Sequence, residues 1–219
     1  MTTLYLLRHA NSTANANGIL AGRIPGVELS DEGERQSRQL TKALAGFGIQ
    51  NIYSSPLPRC KKTIEAFARD QKLRISDESG IQEMDYGSWS GLKLKKLAKE
   101  RLWRKIKREP MSVRFPDGES FKEAAARLER TLKKIANKHP KRKVLLVTHG
   151  DIIKMAVQMT LAGDMNKFQR IVIDPASLTV LQWDKKERIL ISVNQRLVSK
   201  QKREKSIKKR AVLGGGSNV

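Results

Sequence analysis

A single cysteine, Cys60, stands in a chain of 219 residues. One thiol forms no internal disulfide and builds no metal site by itself, which points to a reducing, cytoplasmic setting. Aromatic residues are scarce at 5%, so no base-stacking platform of the kind seen on RNA-binding sheets is expected. No apolar run approaches the roughly 18 residues of a membrane span. Met1 leads straight into an apolar segment, with no basic start or cleavage site, so no membrane partner is expected. Repeats are absent too. Histidine occurs only three times, and that scarcity makes each position informative.

Positive charge is what the chain has in excess: 44 Lys and Arg against 22 Asp and Glu, a net of +22. Two segments concentrate it. Lys93–Arg108 holds nine basic residues and one acid, Glu100, with Leu94, Leu97, Ala98, Leu102 and Ile106 recurring among them. This reads as one amphipathic helix with a basic, solvated face. Arg196–Arg210 carries eight basic residues and one acid. It leads to Gly214-Gly215-Gly216-Ser217, so residues 196–219 read as a disordered basic tail behind one domain spanning 1–195. Such charge attracts polyanions at low salt, and the tail is a candidate for nonspecific nucleic-acid contact. No zinc knuckle or helix-turn-helix pattern accompanies it.

Two of the histidines directly follow apolar runs. Leu7-Arg8-His9-Ala10 ends the run from Leu4 to Leu7, and Thr148-His149-Gly150 follows Val144 to Val147. In open α/β sheets, ligands bind at the carboxyl ends of such strands. The rest of the chain alternates. Helices are expected at Asp31–Phe47, Arg59–Asp70, Ser120–Asn137 and Asp151–Ala162, and strands at Ile49–Ser54 and Arg74–Ser76. Ser177–Trp183 and Ile189–Val193 read as a hairpin at a sheet edge. The expected fold is α/β, a three-layer α/β/α sandwich around a mostly parallel sheet.

Four motifs in series carry a resemblance over roughly residues 1 to 195. They are Leu7-Arg8-His9-Ala10-Asn11-Ser12 with Asn15; Ser54-Ser55-Pro56-Leu57-Pro58-Arg59-Cys60 with Thr63; Glu83-Met84-Asp85-Tyr86-Gly87-Ser88-Trp89-Ser90-Gly91; and Thr148-His149-Gly150. Together the chain resembles the histidine phosphatase superfamily, in its phosphoglycerate mutase-like branch. Segments 97–104 and 168–177 are similar to a subgroup labelled phosphomutases. The resemblance implies that His9 is the nucleophile and forms a phosphohistidine. It further implies that Glu83 donates a proton to the leaving oxygen and then activates water. Residue chemistry agrees: Arg8 and Arg59 offer planar forks for phosphoryl oxygens, and a protonated His149 would complete a cationic ring. Ser12, Asn15, Gly22, Arg23 and Gly150 join Arg8, Arg59 and His149 as candidate substrate contacts. No metal ion or organic cofactor is called for, and the expected partner is a small phosphorylated metabolite.

The acid loop departs from the mutases of this branch. Those resemble Glu-Arg-His-Tyr-Gly, where the arginine grips a substrate carboxylate. Here Met84 cannot grip one and Asp85 would repel one. The expectation is therefore a metal-independent phosphomonoester hydrolase. The alternatives are a phosphoglycerate mutase-like isomerase and a polyanion-binding protein retaining the fold. Arg23 is placed to hold a second anionic group or to be solvated. Met111–Glu119 is expected to form a lid, with Val113, Arg114 and Phe115 near a leaving group. Cys60 reads as a small apolar residue, His139 as an exposed turn residue, and Trp89 and Trp183 as packing.

Overall fold

Consecutive buried residues in one strand require cover on both sides of a sheet, because neighbours point to opposite faces. In the computed structural model, which describes residues 1–197, the first strand meets that requirement. Along Thr2–Arg8 (β1), Leu4 and Leu6 enter one core while Tyr5 and Leu7 enter the other. The remaining elements follow in chain order: α1 (Thr13–Ala16), α2 (Asp31–Leu44), β2 (Asn51–Ser54), α3 (Pro58–Asp70), β3 (Ile75–Asp77), α4 (Leu94–Leu97), α5 (Arg101–Arg108), α6 (Phe121–Lys138), β4 (Lys143–Thr148), α7 (Gly150–Thr160), β5 (Ser177–Trp183) and β6 (Arg188–Arg196).

The strands form one six-stranded sheet in the order β3-β2-β4-β1-β5-β6. The first four of these run parallel, and β5 and β6 add an antiparallel hairpin at one edge. Val144 and Leu146 of β4 share a core with Phe121 and Leu128 of α6 and Ile152 of α7. Leu145 and Val147 pack with Leu40 and Leu44 of α2 and Ile64 and Phe67 of α3. The expected three-layer α/β/α sandwich, edge hairpin included, is the observed fold. No described helix is long and apolar enough to cross a membrane.

Local chemistry sets the element ends. Ser30 caps α2 by accepting from the Gly33 amide, and Asp31, Glu32 and Glu34 fill its first turn, where the helix dipole favours anions. A Cβ at Gly33 would lie 1.9 Å from the Asn11 carbonyl oxygen, so the close approach of α2 to the loop after β1 requires glycine. Ser120 and Glu123 form a reciprocal capping box that starts α6.

Several expectations are corrected. The basic stretch is two helices, α4 and α5, separated at residues 98–100. At about 100° per residue, an unbroken helix would put Leu97 and Ile106 on opposite sides; the break lets Leu97, Trp103 and Ile106 all enter the core. Val113 and Phe115 are core residues rather than lid residues, and Arg114 binds the Gly118 carbonyl and Glu123. His139 is half-buried at the end of α6, with Nε2 2.9 Å from the Tyr53 hydroxyl. Trp89 and Trp183 do pack: Trp89 stacks on Trp103, and Trp183 donates to the Thr160 hydroxyl. Arg196 belongs to β6 and pairs with Asp174, so the sheet runs one residue past the expected boundary. The expectation for the tail from 198 to 219 lies outside the described residues.

Candidate active site

Strand register brings the two histidines together. β1 and β4 pair in parallel with Arg8 opposite Thr148, so the residues that follow, His9 and His149, emerge side by side. The His9 amide donates to the Thr148 carbonyl at 2.9 Å, and the two rings lie 5.2 Å apart, edge to face. β2 ends beside them. Its continuation places Ser55 Oγ 2.8 Å from Nε2 of His149 and starts α3, whose first turn carries Arg59. Arg8, His9, Arg59, Glu83 and His149 are all buried. The structure thus gathers all five expected catalytic residues into one pocket.

Hydrogen bonds fix the imidazole tautomers. Nδ1 of His9 lies 2.8 Å from the Ala10 carbonyl oxygen, which only accepts, so Nδ1 holds the proton and Nε2 keeps its lone pair. Burial, followed by the charges of Arg59 and Arg8, holds the His9 pKa well below its ordinary value. At neutral pH it is uncharged, with a free lone pair on Nε2. For His149, Nδ1 accepts from Arg59 Nη2 at 3.3 Å, leaving Nε2–H to donate to Ser55. Burial and Arg59 likewise hold it well below the ordinary range, so His149 is neutral among these side chains. The protonated state expected of it therefore needs an anion beside it.

Arg8 reaches the Ile173 carbonyl through Nη1 at 2.6 Å. Arg59 donates from Nη2 to the Gly22 carbonyl at 2.9 Å. Its Nε and Nη1 are buried without a hydrogen-bond partner among the described residues. Thr63 supports both sides of the pocket, accepting from the Ala10 amide and donating to the Arg59 carbonyl. Gly150 opens α7 immediately after His149, so an 11-residue helix begins at the pocket. Cys60 is fully buried, 3.5 Å from His149 Nε2, and its thiol is pushed up to about 12 by burial. It stays protonated and is no nucleophile.

Glu83 is positioned by a clamp. Its carbonyl accepts from Arg23 Nε at 2.8 Å and from Arg127 Nη2 at 3.1 Å. Glu119 binds both arginines and also accepts from the Asp85 amide, while its own amide donates to the Asp85 carbonyl. Gly87 completes the seam: it has φ +52°, and a Cβ there would lie 1.9 Å from the Pro116 carbonyl oxygen. The Glu83 carboxyl accepts from the Met84 amide and lies 3.7 Å from His149 Nδ1. Burial, with the Asp151 charge next, raises its pKa to about 7. The neighbouring carboxylates are engaged elsewhere, Glu78 with Lys134 and Asp85 with Arg23.

Three expected substrate contacts have local structural duties. Arg23 belongs to the clamp, with its side chain 30% exposed. Ser12 and Asn15 cap α1: Ser12 Oγ accepts from the Asn15 amide and donates to Asn15 Oδ1. The clamp roles of Glu119 and Arg127 escaped the sequence reading, as did the contact of Ser55 with His149. So did a fully buried pair on α7, Lys154 with Asp151, whose carboxylate also accepts from the Tyr86 hydroxyl at 2.9 Å. A signal for that pair was present: two opposite charges three residues apart in an otherwise apolar helix. Among the described residues, no group of three His, Cys, Asp or Glu side chains is placed to hold a metal ion.

A neutral imidazole among buried arginines, at the carboxyl ends of parallel strands, is an arrangement that can receive a phosphoryl group. The chain belongs to the histidine phosphatase superfamily (branch 1), whose sequence profile matches residues 4–196, and it is an enzyme of the histidine phosphatase type. It is 29% identical over 196 residues to phosphoserine phosphatase 1 of Hydrogenobacter thermophilus, covering 89% of this chain and 92% of that one. It is 30% identical over 164 residues to the uncharacterized phosphatase PhoE of Bacillus subtilis, covering 75% and 80%. Among solved structures, Bacillus stearothermophilus YhfR shares the fold with a TM-score of 0.83 at 22% identity, over 91% of this chain and 98% of that one.

Proposed function

We propose that the protein hydrolyses phosphomonoesters without a metal ion, through a phosphohistidine on Nε2 of His9. The observation that carries this reading is Arg59, a buried guanidinium with two donors left unpaired among the described residues. An unsatisfied buried donor costs on the order of 1–3 kcal/mol, and more when charged. A phosphoryl dianion between Arg8 and Arg59 satisfies those donors and raises the His149 pKa, so that His149 takes a proton and adds a third cation. Nε2 of His9 then attacks phosphorus. The bond to the leaving oxygen breaks, its electron pair stays on that oxygen, and Glu83 supplies the proton. Water next attacks the phosphohistidine and gives its proton to the Glu83 carboxylate. The P–N bond breaks and its pair returns to Nε2.

Hydrolysis is favoured over mutase chemistry by the acid loop: Met84 is buried in the core and Asp85 is turned to Arg23. The substrate is a small phosphorylated metabolite. Brief incubation with labelled substrate should leave an acid-labile, base-stable phosphoryl group on wild-type protein and none on His9→Ala, which should not turn over. Activity should persist in excess chelator. A panel including phosphoserine and 3-phosphoglycerate should release inorganic phosphate. Label on Cys60, rescue of chelated enzyme by a divalent ion, or isomerised phosphoglycerate without phosphate release would each overturn the reading.

A further inference from the structure

Nine exposed cations are concentrated in the segment Lys93–Arg108. Every Lys and Arg between Lys93 and Arg108 is exposed, and the salt bridges of the described residues all lie elsewhere. On α5, Arg101 and Lys105, and again Arg104 and Arg108, are like charges four residues apart, an arrangement that weakens a helix by a few tenths of a kcal/mol per pair. The face is nonetheless held firmly. Leu94 donates to the Gly18 carbonyl at 2.8 Å, Lys93 bridges to Ile19, and Leu97, Trp103 and Ile106 anchor the helices in the core. A shallow depression along α5 is lined by Arg101, Leu102, Arg104, Lys105, Arg108 and Glu109.

The chemistry of this face narrows its partner. A membrane-surface helix needs a free apolar side to insert, and here that side is occupied by the protein's own core. Protein interfaces draw much of their affinity from aromatic anchors as well as arginines, and Trp103, the one aromatic residue of this segment, is buried. The exposed large hydrophobics among the described residues, Leu161 and Ile191, lie outside this segment. Binding of single strands uses aromatic stacking, whereas Trp89 and Trp103 are buried against each other. What remains is an array of point charges on anchored helices, which gains affinity wherever phosphates at close spacing release condensed counterions. We propose that the Lys93–Arg108 face binds the phosphate backbone of duplex nucleic acid without reading its sequence.

The test is fluorescence anisotropy of the full chain with short labelled duplexes of two unrelated sequences. Both should bind alike. If about five phosphates are engaged, the log–log salt slope should be about −4.5, a loss on the order of several hundredfold between roughly 50 and 200 mM salt. Replacing Lys95, Lys99, Arg101, Arg104, Lys105 and Arg108 by Gln should weaken binding at least tenfold and flatten the slope. Hydrolysis of p-nitrophenyl phosphate by the same variant serves as the control for folding. Should that variant fail to fold, the triple variants Lys95→Gln, Lys99→Gln, Arg101→Gln and Arg104→Gln, Lys105→Gln, Arg108→Gln must each weaken binding. Any of four results overturns the proposal: no duplex binding at low salt, unchanged affinity in the neutralised variants, tighter binding to anionic phospholipid vesicles than to duplex, or complete loss of binding on deleting residues 198–219 alone.

Discussion

Burial drives the two kinds of titratable side chain in the pocket in opposite directions, and pH should expose both. Glu83 is raised to about 7 while His9 is held well below its ordinary value. The proposed first step needs Glu83 protonated and His9 neutral, so kcat/KM for an alkyl phosphomonoester, corrected for substrate ionisation, should fall as pH rises through about 7. Glu83→Gln should lower kcat/KM by roughly 10²–10⁴-fold and remove that limb. A profile unchanged in the variant would deny Glu83 the acid's role. The same shift makes a stability prediction. Between the ordinary carboxyl value of 4.5 and about 7, the folded state holds this proton more tightly than the unfolded chain does, so raising pH through that window costs stability. Glu83→Gln should therefore be more stable than wild type at pH 8, on the order of 2–3 kcal/mol, with the difference gone near pH 4; denaturant melts at both pH values measure it. The two candidate histidines stood out because histidine is rare here and each stands at the end of an apolar run. The clamp role of Arg23 was not visible, since its partner Glu119 lies 96 positions away and only the folded chain brings the two together.

Elements act on Glu83 through a backbone atom rather than through its carboxyl. Arg23, from the loop after α1, and Arg127, from α6, both donate to the Glu83 carbonyl, and Glu119 holds the two arginines against the acid loop. Losing one clamp member should let the carboxyl drift, and a displacement of about 1 Å can cost 10²-fold in rate. Arg127→Met is accordingly expected to slow hydrolysis of an alkyl phosphomonoester by 10–100-fold. Hydrolysis of p-nitrophenyl phosphate, whose leaving group needs little protonation, should slow much less. Equal losses on both substrates would mean that the substitution merely damages the fold. Most strands and helices were visible in the chain because apolar runs, caps and glycines mark them locally. The break between α4 and α5 was hidden: leucine spacing alone fits one helix, and only the demand to bury Leu97, Trp103 and Ile106 in the same core forces two. The lid was misread for a related reason, since Val113 and Phe115 look like loop residues until α6 packs over them.

At the scale of the whole molecule, alternation of strands and helices announced a layered α/β fold, yet strand order stayed out of reach. β1 lies between β4 and β5, more than a hundred residues away, and no local pattern encodes such neighbours. Charge was legible from the start, but its consequence for catalysis depends on distance. Arg196 closes the sheet on Asp174, and Leu197 packs against the α2–α3 core. All five proposed catalytic side chains and the clamp lie within residues 1–197. Charges beyond a screening length of about 8 Å at physiological salt add little to events in the pocket. Deleting residues 198–219 should thus leave kcat and KM for a small phosphomonoester within about twofold at physiological ionic strength. At low salt the lost positive charge should slow encounter with an anionic substrate, visible as a lower kcat/KM with kcat unchanged. Comparing full-length and shortened protein at both salt concentrations decides it: a large fall in kcat at physiological salt would mean that the C-terminal segment takes part in building the site.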